Sequence, residues 1–300
     1  MAKGIFVGLS TVDVVYRVDE FPSTNAKIVA RSQEVIAGGP ATNAAIAFRH
    51  LGGEATLVTG VGCHAVASVI VGELRRYSIQ LIDLNPRFDR APAISSVSVR
   101  ENGERSVISA NATRVNVPPA EVDNAVLGQA GFVLVDGHYV EACVAWSRAA
   151  RARGIPVVLD GGSWKEGTGE LLSSVDTAIC SADFMPPRCS TEDETILYLK
   201  NCGVTNIAIT RGPEPVRFVS SDGSGVVSVP QVEPVDTMGA GDIFHGAFCH
   251  YSSAGWGFAE ALGEAAKIAS ESCRFHGTRE WMKYIDPGAD PLPRRRLPLA

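Results

Sequence analysis

Five short apolar runs set the rhythm of this chain: "GIFVG" (4–8), "ATLVTGV" (55–61), "GFVLVDG" (131–137), "IPVVLDGG" (155–162) and "NIAITRG" (206–212). Each is too short for a buried helix and is punctuated by glycine, so each reads as a buried strand. Between them, "TNAAIAFRHLGG" (42–53), "ASVIVGELRRYS" (67–78) and "VEACVAWSRAARARG" (140–154) repeat their apolar residues with helical period. Alternation of this kind predicts an α/β fold, a doubly wound and mostly parallel central sheet with helices on both faces.

Residues 13–36 and 93–110 break the rhythm, because apolar and polar residues alternate there with period two. The second stretch turns at Asn102-Gly103, a hairpin signal between alternating runs. Both are expected to form a small second β-sheet, a lid beside the strand ends. One α/β domain over 1–285 is therefore expected, with lid strands from about 13–36 and 93–110. The Pro/Arg-rich stretch 286–300 reads as a loosely attached tail.

With 45% apolar and 20% charged residues the chain can bury a substantial core, and a net charge of −6 argues against nucleic-acid or membrane-surface partners. The start, "MAKGIFVGLSTVDVV", lacks the pattern of a secretory leader, and the seven cysteines form no zinc-type spacing. A cytoplasmic protein with reduced thiols is expected.

Ligands of doubly wound sheets bind at the carboxyl ends of the strands. Neither GxxxxGK[ST] nor GxGxxG is present, so a nucleotide would need another cradle. "VDTMGAGDIFHGA" (235–247) offers one. Gly239, Ala240 and Gly241 let an anion approach the backbone at a helix start, and Asp242 follows in the first turn. The plainer reading is a tight turn with an acidic residue favoured by the helix dipole. "AGGPATNAA" (37–45) presents Gly39 and the bidentate Asn43, while Asp13 adds a carboxylate; polyol recognition and a simple capped turn both fit. His245 lies three residues after Asp242 and reads as a packed neighbour of the site. Asp160 ends a central strand, where a turn and a site border fit equally.

"GGPATNAAIAFRHLGGEATLVTGVG" and "DTMGAGDIFHGA" together resemble the two signatures of the ribokinase-like (PfkB-type) carbohydrate kinases. "LRRYSIQLIDL" and "GGPATN" look nearest to the ketohexokinase-like and sulfofructose-kinase-like branches. The resemblance implies an ATP-dependent phosphotransferase acting on a sugar hydroxyl, with Asp242 as base and Gly239, Ala240 and Gly241 as anion hole. It assigns Asp13, Gly39, Asn43 and Arg105 to the sugar. Thr210, Arg211 and Gly212, together with Gly241, fall to the nucleotide. Mg²⁺, in many members a monovalent cation such as K⁺, and a homodimer formed through the lid are also implied. The helix 257–273 would border the adenine. On dipole grounds alone Asp242 should be a weak base, held in its ionised form.

The chain also departs from the pattern. "CSADFMPP" puts Ser181 and Phe184 where many members have the Asn-x-x-Glu that orders Mg²⁺ waters, with Asp183 one position off. Cys63 and His64 replace an acidic pair, and Pro40 replaces a sugar-contacting asparagine. His138, also a candidate substrate contact, stands where both nearest branches carry arginine, which favours a neutral sugar over an anionic one. A nucleoside kinase of the same family is one rival reading. A catalytically silent sugar or nucleotide sensor is another, opposed by the intact Asp242.

Overall fold

The structure, a computed structural model, describes residues 1–110, 117 and 121–285, so the Pro/Arg-rich tail lies outside the described residues. Seven parallel strands form the body of the main sheet: β1 (Lys3–Val7), β4 (Glu54–Thr59), β5 (Gln80–Asp83), β8 (Phe132–Val135), β9 (Val157–Gly161), β10 (Thr177–Ser181) and β11 (Asn206–Arg211). An antiparallel hairpin, β12 (Glu214–Ser220) and β13 (Gly223–Val227), extends one edge, giving the order β13-β12-β11-β10-β9-β8-β1-β4-β5.

Strand residues alternate between two cores. Phe6, Leu57, Leu134 and Ile179 face α1 (Pro40–His50), α2 (Ala67–Arg76), α7 (Ala240–Ser253) and α8 (Phe258–Ser272). Ile5, Val7, Val133 and Leu159 face α3 (Asn124–Leu127), α4 (Val140–Arg151), α5 (Thr168–Leu172) and α6 (Glu192–Asn201). Strands buried on both sides explain why their sequences read as continuous apolar runs. Among the described residues no helix is long and apolar enough to cross a membrane.

The second sheet is present as a separate layer, β2 (Thr11–Val18), β3 (Ser32–Gly38), β6 (Ile94–Arg100) and β7 (Arg105–Ser109), in the order β3-β2-β6-β7. Its β6–β7 hairpin turns at Asn102-Gly103, with Gly103 at φ +81° and the Gly103 amide donating to the Arg100 carbonyl at 2.9 Å. The stretch 13–36 holds most of two strands, β2 ending at Val18 and β3 beginning at Ser32. Val15, Val97 and Val99 form the buried face of this layer and pack on Met238, in the loop that leads into α7. The lid therefore lies over the chain segment that precedes Asp242.

Helix α1 is built from small residues; Ala41, Ala44, Ala45 and Ala47 are fully buried. This lets α7 pack directly against it, with Gly246 at the contact. The crossing brings together two side chains separated by 199 positions, Asn43 and Asp242.

Candidate active site

Gly239 caps α7 in the left-handed region, at φ +69°. The Ala240 amide donates to the Thr237 carbonyl, whereas those of Gly241 and Asp242 have no backbone partner among the described residues. A β-carbon on Gly241 would meet no atom within 4 Å. The protein's own packing does not demand a glycine here, and Gly241 is exposed at the edge of a cleft. Unpaired N–H groups at a helix N-terminus are the kind of donors that can hold an anion.

Asp242, half-buried in the first turn, accepts a hydrogen bond from Asn43 Nδ2 at 2.7 Å. Burial and the nearby Asp160 carboxylate push its pKa up to about 7, against the opposing effects of the Asn43 bond and His245. The helix dipole was expected to keep this carboxyl strongly acidic, and desolvation overrides it. A dipole contributes ~0.3–1 kcal/mol, less than one pKa unit, while burial and a like charge can move a carboxyl by several. Asp242 is thus a better proton acceptor than its sequence position suggested.

Asp160, at the end of β9, is itself buried and its pKa is raised, first by desolvation and then by Asp136 acting against His245. The His245 ring lies beneath the cradle. Its Nδ1 is 2.7 Å from the Gly241 carbonyl oxygen and 3.4 Å from Asp160 Oδ2, and its Nε2 is 3.1 Å from the Ile179 carbonyl oxygen. Both ring nitrogens face oxygen, so His245 ties the first turn of α7 to the ends of β9 and β10.

On the lid side, Thr11 Oγ1 donates to Asp13 Oδ1 at 2.7 Å. Burial raises the Asp13 pKa despite hydrogen bonds from Thr11 and Ser95 and the charge of Arg279. Gly39, at φ +95°, passes so close to Leu9 that a β-carbon would lie 2.3 Å from the Leu9 carbonyl oxygen. Pairing of Asp13 with Ser95, and of Val99 with Arg105, puts Arg105 on the face that carries Asp13 and Val15 and turns toward Met238. Its side chain is exposed. The His138 ring turns instead to buried Asp136, with Nδ1 3.3 Å from Oδ1. Burial alone would raise the Asp136 carboxyl. His138 and the amides of Leu9 and His138 hold it below the usual carboxylate range.

On the other side of Asp242 opens a cleft of about 470 Å³, mostly apolar, bounded by Thr210, Gly212, Gln231, Gly241, Ala266 and Ala269. Thr210 and Gly212, which the resemblance assigns to the nucleotide, line this cleft. Arg211 turns away, its Nε 3.6 Å from both Glu192 and Glu214. Helix α8 supplies one wall.

The stretch in place of Asn-x-x-Glu does not fit a metal-organising role. Phe184 is buried against Trp164, with ring centroids 5.5 Å apart, and Ser181 Oγ donates to the Gly162 carbonyl. Asp183 is exposed. Among the described residues no group of three His, Cys, Asp or Glu could hold a metal ion. Cys63 and His64 serve their own turn, Cys63 Sγ donating to the Phe88 carbonyl and His64 Nδ1 accepting from the Val66 amide.

Sequence reasoning overlooked Glu73 and Arg279. Arg279 Nη1 donates to Asn43 Oδ1 at 2.9 Å, and its Nε donates to Glu73 Oε1 at 2.7 Å. One signal was available: Glu73 lies one helical turn from buried Ile70 and next to buried Leu74, and a carboxylate on an apolar helix face needs a partner.

Comparison with known proteins agrees with this geometry. Residues 1–283 match the family described as pfkB family carbohydrate kinase. The chain is 23% identical over 296 residues to a ribokinase of Staphylococcus aureus (strain COL), covering 95% of this chain and 97% of that one. To a ribokinase of Bacillus subtilis (strain 168) it is 26% identical over 278 residues, covering 90% and 92%. Its fold is similar to that of the Thermotoga maritima ribokinase, with a TM-score of 0.77 at 21% identity over 94% of this chain and 98% of that one. The Arabidopsis thaliana ribokinase solved with ribose and ATP gives a TM-score of 0.75 at 22% identity, over 92% and 93%. The two signatures, the nine-stranded sheet with its lid and the match over nearly the whole chain lead to one conclusion: the protein belongs to the PfkB family of carbohydrate kinases.

Proposed function

We propose that the protein transfers the γ-phosphoryl group of ATP to a hydroxyl of a small neutral sugar, with Asp242 as the base. The observation that carries this reading is the position of Asp242. Its carboxyl, with a pKa raised to about 7, sits beside two unpartnered amides, next to an apolar cleft and within hydrogen-bond reach of Asn43. The adenine end of ATP fits the cleft bounded by Thr210, Gly212 and α8. The transferring phosphoryl group meets the amides of Gly241 and Asp242.

Under the lid, Asp13, the Gly39 backbone and the remaining N–H of Asn43 bind sugar hydroxyls, and Arg105 approaches from β7. Asp242 takes the proton of the attacking hydroxyl as its oxygen bonds to the γ-phosphorus and the bond to the β-phosphate oxygen breaks. The loose transition state of phosphoryl transfer asks mainly for alignment and charge stabilisation, which these groups supply. Lid closure excludes water as a competing acceptor. Since residues 181–184 do not fit a metal, Mg²⁺ would enter on the ATP phosphate oxygens, its preferred ligands.

The relatives include a ribokinase and a deoxyribokinase, which puts pentoses first in a substrate panel. The test is ADP release from ATP and Mg²⁺ across pentoses, ketoses, polyols and nucleosides, with Asp242→Asn alongside and K⁺ exchanged for Na⁺. Sugar-dependent turnover lowered by about 100-fold or more in Asp242→Asn supports the reading. Turnover with nucleosides alone would make the protein a nucleoside kinase, and ATP binding without turnover on any acceptor would make it a sensor. We further propose pairing of two copies through the outer lid face, where Val35 and Ile108 are 45% and 76% exposed. Sedimentation of Ile108→Lys as a monomer, against a dimeric parent, would support that pairing.

A further inference from the structure

The Asn43 carboxamide is nearly symmetric in shape, so what decides which end faces Asp242 is its second partner. That partner is Arg279, which can only donate. With Oδ1 held by Arg279 Nη1 at 2.9 Å, Nδ2 must point at Asp242, where it donates at 2.7 Å. Arg279 is in turn held on all sides. Its Nε donates to Glu73 Oε1, its Nη1 also to Thr278 Oγ1 at 2.7 Å, and its Nη2 to the Ala37 carbonyl at 2.8 Å. Glu73 Oε2 accepts from the Ala37 amide. The Glu73–Arg279 pair, each side chain only 11% exposed, thus occupies both outer-edge backbone groups of Ala37, in edge strand β3 just before the glycine pair. Four of the five N–H donors of Arg279 are spent on the protein, which leaves it poorly placed to bind a substrate anion.

We propose that Arg279, clamped by Glu73, is a positioning residue that sets the Asn43 amide toward the base and couples that setting to the root of the lid. The inference rests on the reading of Asp242 as the base. The groups facing Asp242 are Asn43, Asp160, Asp136 and His245, while Arg279 faces Glu73, Asp13 and the Tyr77 ring. A lysine at 279 keeps the charge for Glu73 but cannot also reach Asn43 and Ala37, since it lacks the planar fork.

The test compares Arg279→Lys, Asn43→Ala, the double variant and Glu73→Gln, all checked for folding by thermal melting and near-UV circular dichroism. Arg279→Lys is expected to lower kcat by about 100-fold, the cost of a small misplacement at the reacting centre, with KM for ATP unchanged. The double variant should be no slower than Asn43→Ala, because both act through one contact. Glu73→Gln should show the same pattern more weakly, and it decides the matter if Arg279→Lys does not fold. Independent, multiplying losses, or a rise in KM for ATP at constant kcat, would overturn the inference.

One readout needs no turnover: the Asp242 carboxyl titration followed by NMR, assigned by its absence in Asp242→Asn. Loss of the fixed Asn43 donor should move its midpoint upward in Arg279→Lys. An unmoved midpoint defeats the inference even in an active kinase. A moved midpoint in a protein that phosphorylates nothing upholds it and defeats only the functional reading.

Discussion

Gly246 on α7 meets Ala44 on α1 so closely that a β-carbon on Gly246 would lie 2.3 Å from the Ala44 carbonyl oxygen and 2.9 Å from the Ala47 β-carbon. Neither neighbour is the tip of a flexible side chain, so the helices would have to part. The same crossing holds Asn43 against Asp242. Gly246→Ala should therefore cost stability, about 1–3 kcal/mol as overpacking usually does. It should also lower kcat, because the Asn43–Asp242 contact lengthens. Thermal melts and steady-state kinetics on one preparation would check both effects.

Gly241→Ala should separate those two effects. Its β-carbon would meet nothing in the protein, so stability should hold or rise by about 0.4–1 kcal/mol, as glycine-to-alanine changes do at compatible positions. The added methyl would stand where a phosphoryl group approaches the free amides. The expected outcome is a well-folded protein with a melting temperature at or above that of the parent, and with kcat strongly reduced.

Asp242→Asn should be inactive yet more stable near pH 8. A carboxyl whose folded pKa is raised contributes its stability below the unfolded value, and loses it as pH rises through the folded one. Here that window runs from the ordinary aspartate range, at 3.8, up to about 7. The variant should out-melt the parent above pH 7, and the gap should narrow on acidification and vanish below about pH 4. A melting series between pH 4 and 8 measures it. In the parent, kcat should rise with pH through the region near 7 as the base becomes ionised.

Asp160→Asn tests the cause of that elevation. Asp160 is the chief charge raising the Asp242 carboxyl, so removing it should move the acidic limb of the kcat–pH profile to lower pH. A limb that stays in place would mean burial alone sets the value.

How much of this was legible in the sequence depended on the range of the forces involved. The five apolar strands and the period-two lid stretches were readable because each is a local pattern that burial enforces. β10, with the apolar run "TAICS", was missed because no glycine punctuates it, unlike the five runs that were read. β12 and β13 were missed because they are an edge hairpin whose residues are largely exposed. Within the site, Gly39, Asn43 and Asp242 were visible from their motifs. The strength of Asp242 as a base was misjudged because the dipole is read from the helix alone, whereas burial and Asp160 arrive from other strands. Glu73 and Arg279, 206 positions apart, carry no motif and meet only in three dimensions.

The contacts that ready Asp242 join the first sixth of the chain to its final tenth. Asn43, Asp242 and Arg279 come together only after Arg279, 236 positions beyond Asn43, has left the ribosome. While synthesis proceeds N-terminal first, a nascent chain ending before Arg279 has a lid root and a sheet but no clamp on Asn43. On the reading of Asp242 as the base and Arg279 as its positioning residue, a nascent chain that has not yet delivered Arg279 to Asn43 should therefore spend little ATP.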